Sequence, residues 1–88
     1  MRVRVCFQGR VQGVGFRATA AACARTRALT GFVRNEPDGS VLLEVQGDEE
    51  EINLLFSRIA DRMSRNITRT DRSPMADLQT EHEFLIRH

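Results

Sequence analysis

The sequence has few of the residues that mark secreted, membrane-spanning or base-stacking proteins. Its 88 residues include two cysteines, no tryptophan and no tyrosine, and no apolar run is long enough to cross a bilayer. At most one disulfide could form, so we expect Cys6 and Cys23 to be reduced thiols in a cytoplasmic protein. The first residues enter a strand pattern at once, so we expect no signal peptide and no membrane partner.

Charge is nearly balanced, and lysine is absent. All 13 basic residues are arginine, against 12 acidic residues, which gives a formal net charge of +1. A charge this small produces no global field that attracts nucleic acid. The two histidines, His82 and His88, fall in the tail, and no clustered Cys, His or carboxylate set of the kind that binds a metal is present. We therefore expect no nucleic-acid partner, no metal and no cofactor.

Alternating apolar residues predict the strands. Val3, Val5 and Phe7 alternate with other residues, which is typical of a strand with one buried face. The segment NEPDGS supplies the Pro, Asp and Gly of a hairpin turn between two further runs. The predicted strands cover residues 3–7, 30–35, 41–45, 67–72 and, after a loop that contains Pro74, 84–87.

Two helices are predicted between these strands. Residues 16–28 are alanine-rich and contain no Gly or Pro, and one face carries Phe16, Ala20, Cys23 and Ala24. Asp48 and Glu51 have the spacing of a capping box, ahead of a core stripe formed by Ile52, Leu55, Phe56, Ile59 and Met63. Stacking is the only way to bury these faces, so we predict one α+β domain over residues 1–88. It is a two-layer βαββαβ sandwich, with two helices on one face of an antiparallel sheet of four strands plus a short C-terminal strand.

The segment GRVQGVGFR, residues 9–17, lies where the first strand meets the first helix. N–H groups at a helix start have no internal partner, and with the helix dipole they favour an anion. Gly13 and Gly15 allow successive N–H groups to point inward, and Arg17 can reach the same point. No Gly-Lys-Ser/Thr follows, so this is not a P-loop. On these residues alone, an anion site and a plain tight turn both remain open.

Asn35 ends the second predicted strand, just before the turn. If the second strand runs beside the first, its amide lies near the glycines. There it could both donate and accept hydrogen bonds and hold a water in line with a bound phosphoryl group. Alone, the same residue is more simply explained as the start of the turn.

Taken together, GRVQGVGFR and TGFVRNEPDGSV resemble the acylphosphatase family, whose small stand-alone members hydrolyse carboxyl-phosphate mixed anhydrides. The similarity runs from Val3 to the closing FLIR. The resemblance implies a ferredoxin-like sandwich, with Arg17 binding phosphate and Asn35 orienting the water. It also implies phosphate binding by donors of the loop residues Gln12, Gly13, Val14, Gly15 and Phe16.

The chemistry of this substrate suits a chain without metal ligands. An acyl phosphate leaves as a carboxylate, a weak base, so no general acid is needed. No protein base is evident, so the phosphate of the substrate would deprotonate the water. Two departures from the family pattern, Arg27-Ala28-Leu29 for Leu-Gly-Leu and DRMSRN for Gly-Pro-Pro, do not touch the expected site. The first removes a favoured C-cap glycine.

Three alternatives remain at this stage. A non-catalytic module of the same fold that binds phosphate or acyl phosphate would keep Arg17 and could keep Asn35. The same domain also occurs at the head of larger proteins that handle carbamoyl phosphate. An RNA-recognition motif shares the element order, but it stacks bases on exposed aromatic residues, and this chain has five Phe and no other aromatic of that kind. Nothing indicates an oligomer, so we expect a monomer that acts on a small-molecule acyl phosphate.

Overall fold

Five strands and two helices follow one another in the computed structural model, which describes residues 1–88. They are β1 (Arg2–Gly9), α1 (Phe16–Arg25), β2 (Thr30–Asn35), β3 (Val41–Gln46), α2 (Glu49–Met63), β4 (Ile67–Met75) and β5 (Phe84–Arg87). The predicted order is confirmed. Several boundaries differ by one to three residues: β1 and β3 are slightly longer than predicted, α1 ends at Arg25, and β4 continues through Pro74 to Met75. A proline is tolerated there because β4 is an edge strand.

The sheet has the strand order β4-β1-β3-β2-β5. The sequence predicts a purely antiparallel sheet, whereas the observed sheet is mixed. Its exception is β5, which pairs parallel with β2. The reason lies in residues 76–83, which cross the sheet from β4 to the other edge. Met75 pairs with Arg2 and Phe84 pairs with Gly31, so this segment starts and finishes at the end of the sheet where β2 begins. The next strand must therefore run in the same direction as β2.

Both helices contribute their apolar faces to one core against one face of the sheet. The predicted buried face of α1 is confirmed, and on α2 the buried residues are Ile52, Leu55, Ile59 and Met63. Phe56, predicted as core, is only partly buried. Its ring lies at the rim of the core, 6.4 Å from the ring of Phe7, with the Arg72 guanidinium 4.6 Å from its centroid.

The predicted capping box of α2 is wrong. Asp48 occupies the N-cap position, but its side chain makes no capping hydrogen bond. Glu51 does not reach back to Asp48, because its carboxylate accepts a hydrogen bond from Arg27 at 2.9 Å. Three glutamates in the first turn still place negative charge at the positive end of the helix.

Arg2 is buried on the sheet face opposite the helices, although strand alternation predicts that this face is open to solvent. Its guanidinium binds Glu44 at 3.0 Å and Glu81 at 2.6 Å, and its side chain is 0% exposed. Glu81 belongs to the crossing segment 76–83, which covers this end of the sheet. The hydrogen bond with Glu81 is the main reason why the pKa of Arg2 is raised. Arg4 joins the same Glu44 carboxylate at 2.8 Å.

Cys6 and Cys23 are both free thiols. Cys6 alternates with the core residues of β1, so it lies on the sheet face away from the helices, whereas Cys23 is on the buried face of α1. The sheet therefore separates the two sulfur atoms. Neither helix is long and apolar enough to cross a membrane.

Candidate active site

Three strands have their carboxyl ends at the same end of the sheet. β1 and β2 both pair antiparallel with β3, so they run in the same direction, and β5 is parallel to β2. The condition considered for Asn35, that β2 runs directly beside β1, does not hold, because β3 separates them. Phe7 and Asn35 nevertheless lie level with each other, since both pair with Val41 of β3. The carboxyl ends of β1, β2 and β5 therefore surround one region.

A cleft of about 270 Å³ lies at this end of the sheet. It brings together five of the seven predicted site residues and leaves Gln12 and Val14 outside its lining. It also contains two residues of the closing segment, Ile86 and His88, which sequence reasoning did not assign to the site. The lining consists of Val11, Gly13, Gly15, Phe16, Arg17, Ala18, Asn35, Ile86 and His88.

The glycine loop, residues 12–16, has the backbone conformation that its sequence suggests. Gly13 and Gly15 have φ angles of 74° and 79°, in the left-handed region that other residues rarely adopt. None of the N–H groups of residues 11–15 donates a hydrogen bond to another backbone carbonyl. Gly15 is the N-cap of α1, so the first N–H groups of that helix add further donors. The loop thus presents consecutive unpaired donors at a positive helix end.

The side chains of the other loop residues, Phe16, Val14 and Gln12, have different surroundings. The Phe16 side chain is buried in the core, with its ring 4.9 Å from that of Phe7. Val14 lies at the surface. The Gln12 side chain turns to the β2–β3 turn, residues 36–40, where its Nε2 donates to the carbonyls of Glu36 at 2.7 Å and Ser40 at 2.9 Å. Its carboxamide is therefore occupied outside the cleft.

Arg17 lies in the first turn of α1 without a carboxylate partner. Its Nη1 donates to the carbonyl of Arg87 at 3.1 Å and lies 3.2 Å from Nδ1 of His88. No Asp or Glu is within salt-bridge distance of this guanidinium. The Arg87 carbonyl thus holds the side chain over the cleft, and no carboxylate offsets its charge.

Asn35 offers an acceptor with no partner. Its Oδ1 is buried and makes no hydrogen bond within the protein. A buried polar atom of this kind costs about 1–3 kcal/mol unless a partner satisfies it. Asn35 lies on the same face of β2 as the core residue Val33, so its side chain belongs to the helix-covered side of the sheet.

Another residue holds the turn that follows Asn35. The Asp38 carboxylate accepts hydrogen bonds from Ser40 Oγ at 2.6 Å and from Ser40 N–H at 2.9 Å. The first of these bonds is the main reason why the pKa of Asp38 lies below its ordinary value. The Asn35 side chain takes no part in these bonds, so starting the turn does not account for its position.

Comparisons with known proteins agree over the whole chain. The family model described as Acylphosphatase matches residues 3–86. The acylphosphatase of Geobacillus kaustophilus is 41% identical over 88 residues, covering 99% of this chain and 94% of the relative. That of Methylococcus capsulatus is 52% identical over 56 residues, covering 64% of this chain and 61% of the relative.

Solved structures give the same result. The crystal structure of acylphosphatase from Bacillus subtilis superposes with a TM-score of 0.87 at 28% identity, covering 99% of this chain and 98% of that one. The crystal structure of T. kodakarensis HypF gives a TM-score of 0.85 at 25% identity over 100% of this chain, but only 12% of that longer protein is matched. From its sequence, its fold and its relatives, the chain belongs to the acylphosphatase family.

Proposed function

We propose that this protein hydrolyses acyl phosphates to a carboxylate and inorganic phosphate, with Arg17 and Asn35 as its catalytic residues. One observation carries the proposal: a single cleft is lined by residues of the glycine loop, by Arg17 and by Asn35. The N–H groups of residues 11–15 donate to no backbone carbonyl, the Arg17 guanidinium has no carboxylate partner, and the buried Oδ1 of Asn35 makes no hydrogen bond within the protein. Donors and positive charge suit a phosphoryl group, and the free acceptor suits a water beside it.

The glycine loop and Arg17 would hold the phosphoryl oxygens. Main-chain N–H groups of residues 12–16 can each donate to an oxygen without rearranging, because Gly13 and Gly15 already have left-handed backbones. Arg17 supplies the countercharge and a planar pair of donors. These contacts persist as the negative charge shifts during the reaction, so they stabilise both the bound substrate and the transition state.

Asn35 would orient the attacking water. Its Oδ1 accepts one hydrogen of the water and leaves an oxygen lone pair directed at phosphorus. As the new P–O bond forms, the bond between phosphorus and the acyl oxygen breaks and both its electrons leave with the carboxylate. The proton of the water passes to a phosphoryl oxygen. A carboxylate is a weak base, so departure needs no proton from the protein.

Hydrolysis of acetyl phosphate by the purified protein in excess chelator tests the reaction. We expect turnover to continue, because the leaving group requires neither an acid nor a Lewis acid. Phosphate monoesters should be poor substrates, since nothing protonates an alkoxide. Loss of activity in chelator, or equal cleavage of monoesters, would contradict the mechanism. Phosphate binding without turnover would identify the non-catalytic module instead.

Replacing Asn35 tests the division of roles within the site. Asn35→Ala should lower kcat strongly and leave inhibition by inorganic phosphate nearly unchanged, because the amide contacts the water and not the phosphoryl group. Circular dichroism and thermal unfolding of the variant serve as the fold control. A variant with near-normal kcat would remove Asn35 from the mechanism.

We also propose that residues 1–88 work as one monomeric domain in the cytoplasm, on a small molecule rather than on nucleic acid or membrane. The near-balanced charge and the two unpaired cysteines support this view. Light scattering coupled to size-exclusion chromatography, at working concentration and in reducing buffer, measures the mass directly. A dimer mass would contradict the monomer.

A further inference from the structure

We infer that the Gln12 side chain is a positioning residue that fixes the glycine loop relative to Asn35. The inference rests on the proposed function and adds a residue that acts on the reaction without touching the substrate. The sequence resemblance implies only that Gln12 belongs to the loop that binds phosphate. Its carboxamide, however, lies outside the cleft and is bonded to the turn that follows Asn35.

The carboxamide nitrogen has two hydrogens, and both are used. Nε2 donates to the carbonyl of Glu36 at 2.7 Å and to that of Ser40 at 2.9 Å. These two carbonyls lie at the two ends of the β2–β3 turn, which is also closed by the Glu36 N–H donating to the Ser40 carbonyl at 2.9 Å. One side chain therefore bridges the two ends of the turn.

No other hydrogen bond joins residues 10–15 to residues 35–40. The sheet links them only indirectly, because β3 lies between β1 and β2. Two strand spacings of about 4.8 Å separate Phe7 from Asn35 across Val41. Beyond the end of β1 the chain leaves the sheet, so strand pairing does not set the distance from the glycine loop to Asn35. Gln12 supplies the missing direct link.

The link joins the two halves of the proposed mechanism. The glycine loop would hold the phosphoryl group, and Asn35 would hold the water. Glu36 follows Asn35 directly, so a bond to its carbonyl restrains the peptide next to the water-orienting residue. An error of about 1 Å between reacting groups can cost roughly a hundredfold in rate. Loss of the link should therefore reduce the chemical step while the loop still binds an anion.

Gln12→Met tests this, because methionine keeps the length of the side chain and removes both donors. We expect kcat for acetyl phosphate to fall about 10- to 100-fold, while the inhibition constant of sulfate changes less than about twofold. Gln12→Asn keeps the amide but shortens its reach, so its kcat should lie between those of Gln12→Met and wild type. This milder variant also keeps the test valid if Gln12→Met does not fold.

Gln46→Met is the matched control at the other end of the sheet. The Gln46 carboxamide also ties a loop to a strand, donating to the Leu78 carbonyl at 2.9 Å and accepting from the Leu78 N–H at 2.8 Å. Its loss should lower Tm without changing kcat. A merely structural role for Gln12 predicts the same pattern, so unchanged kcat in Gln12→Met would overturn the inference.

A double-mutant cycle with Asn35→Ala separates positioning from any independent effect. If Gln12 acts through Asn35, Gln12→Met should change kcat less than about threefold once Asn35 has been replaced. Full additivity, or a loss of sulfate binding that matches the loss of kcat, would overturn the inference. If Asn35→Ala itself keeps its kcat, the proposed function fails first. If only Asn35→Ala loses activity, the inference alone fails.

Discussion

Arg2, in β1, and Arg17, in α1, lie near opposite ends of the sheet and have opposite surroundings. Arg2 is enclosed by Glu44 and Glu81, with its side chain 0% exposed. Arg17 contacts a carbonyl and an imidazole nitrogen and has no carboxylate partner. The same residue type thus has its charge neutralised by the protein at one end of the sheet and available at the other.

This difference underlies our proposal that Arg2 serves stability and Arg17 serves a ligand. A buried guanidinium needs its carboxylates, since removing one partner leaves a charge without compensation. A partly exposed guanidinium without a carboxylate partner loses little when nothing binds and gains much when an oxyanion arrives. The predictions below test whether the two roles are as separate as the contacts indicate.

The largest effect is expected at Arg2. Arg2→Met should lower the free energy of unfolding by about 3–5 kcal/mol, because Glu44 and Glu81 lose their shared partner in a buried position. Urea unfolding measures the loss, and kcat per folded molecule should stay unchanged. Arg4→Met is the control. The Arg4 side chain binds the same Glu44 but is 48% exposed, so this substitution should lower the free energy of unfolding by less than about 1 kcal/mol. Equal losses would contradict the burial argument.

Arg17→Ala should have the reverse profile. We expect kcat/KM to fall by roughly thirty- to a thousandfold, equivalent to ~2–4 kcal/mol, with the free energy of unfolding almost unchanged. Arg17→Lys should recover little, because an ammonium cannot reproduce the planar pair of donors. Steady-state kinetics and urea unfolding on the same samples make the check. A loss of stability comparable to that of Arg2→Met would make Arg17 structural.

A smaller effect is expected from the glycine loop. A Cβ atom added at Gly15 meets no atom within 4 Å, so the cost of a side chain there comes from the left-handed φ of 79°. That cost is ~1–2 kcal/mol, and relief of the strain should deform the loop. Gly15→Val should therefore abolish the rise in Tm that sulfate gives the wild type.

Gly15→Asn is the matched control for that strain, because asparagine tolerates the left-handed region better than valine does. It should keep most of the sulfate effect. If Gly15→Val responded to sulfate like the wild type, backbone conformation at this position would not matter to anion binding.

The smallest effect is expected on the stability of the protein at acidic pH. Burial alone would raise the pKa of Glu44, but hydrogen bonds and charge from Arg4 and Arg2 outweigh it and hold the pKa below its ordinary value. A lowered pKa contributes stability above the ordinary carboxyl range, and this is lost as pH falls through the lower value. Glu44→Gln should therefore flatten the decline of the urea midpoint between about pH 5 and pH 3. A decline as steep as in wild type would exclude Glu44 as its source.

The glycine loop and Arg17 could be predicted from sequence because their arrangement is local. Two glycines between a strand and a helix fix the turn, and a residue in the first helical turn lies beside it. Asn35 was placed near the loop, but from a wrong assumption about which strands are neighbours. Asn35 still lies near the loop, because β1 and β2 both pair antiparallel with β3 and therefore run in the same direction.

Contacts that depend on distant parts of the chain could not be predicted. Nothing near His88 indicates that it approaches Arg17, because this depends on β5 running parallel to β2. Alternation in β1 predicts that Arg2 is exposed to solvent. Arg2 is instead buried, because the crossing segment that contains Glu81 covers it. The hydrogen bonds of Gln12 likewise could not be predicted, because they depend on where the Glu36 and Ser40 carbonyls lie in the folded chain.

The parallel pairing of β5 with β2 also has a consequence for refolding. The cleft combines residues 11–18, Asn35 and residues 86–88, so no contiguous segment contains it. Helices form in about a microsecond, whereas strand pairing between distant segments must first close long loops and is much slower. During refolding, helical circular dichroism should therefore recover before hydrolysis of acetyl phosphate. In this protein, recovered turnover reports that β5 has reached its place in the sheet.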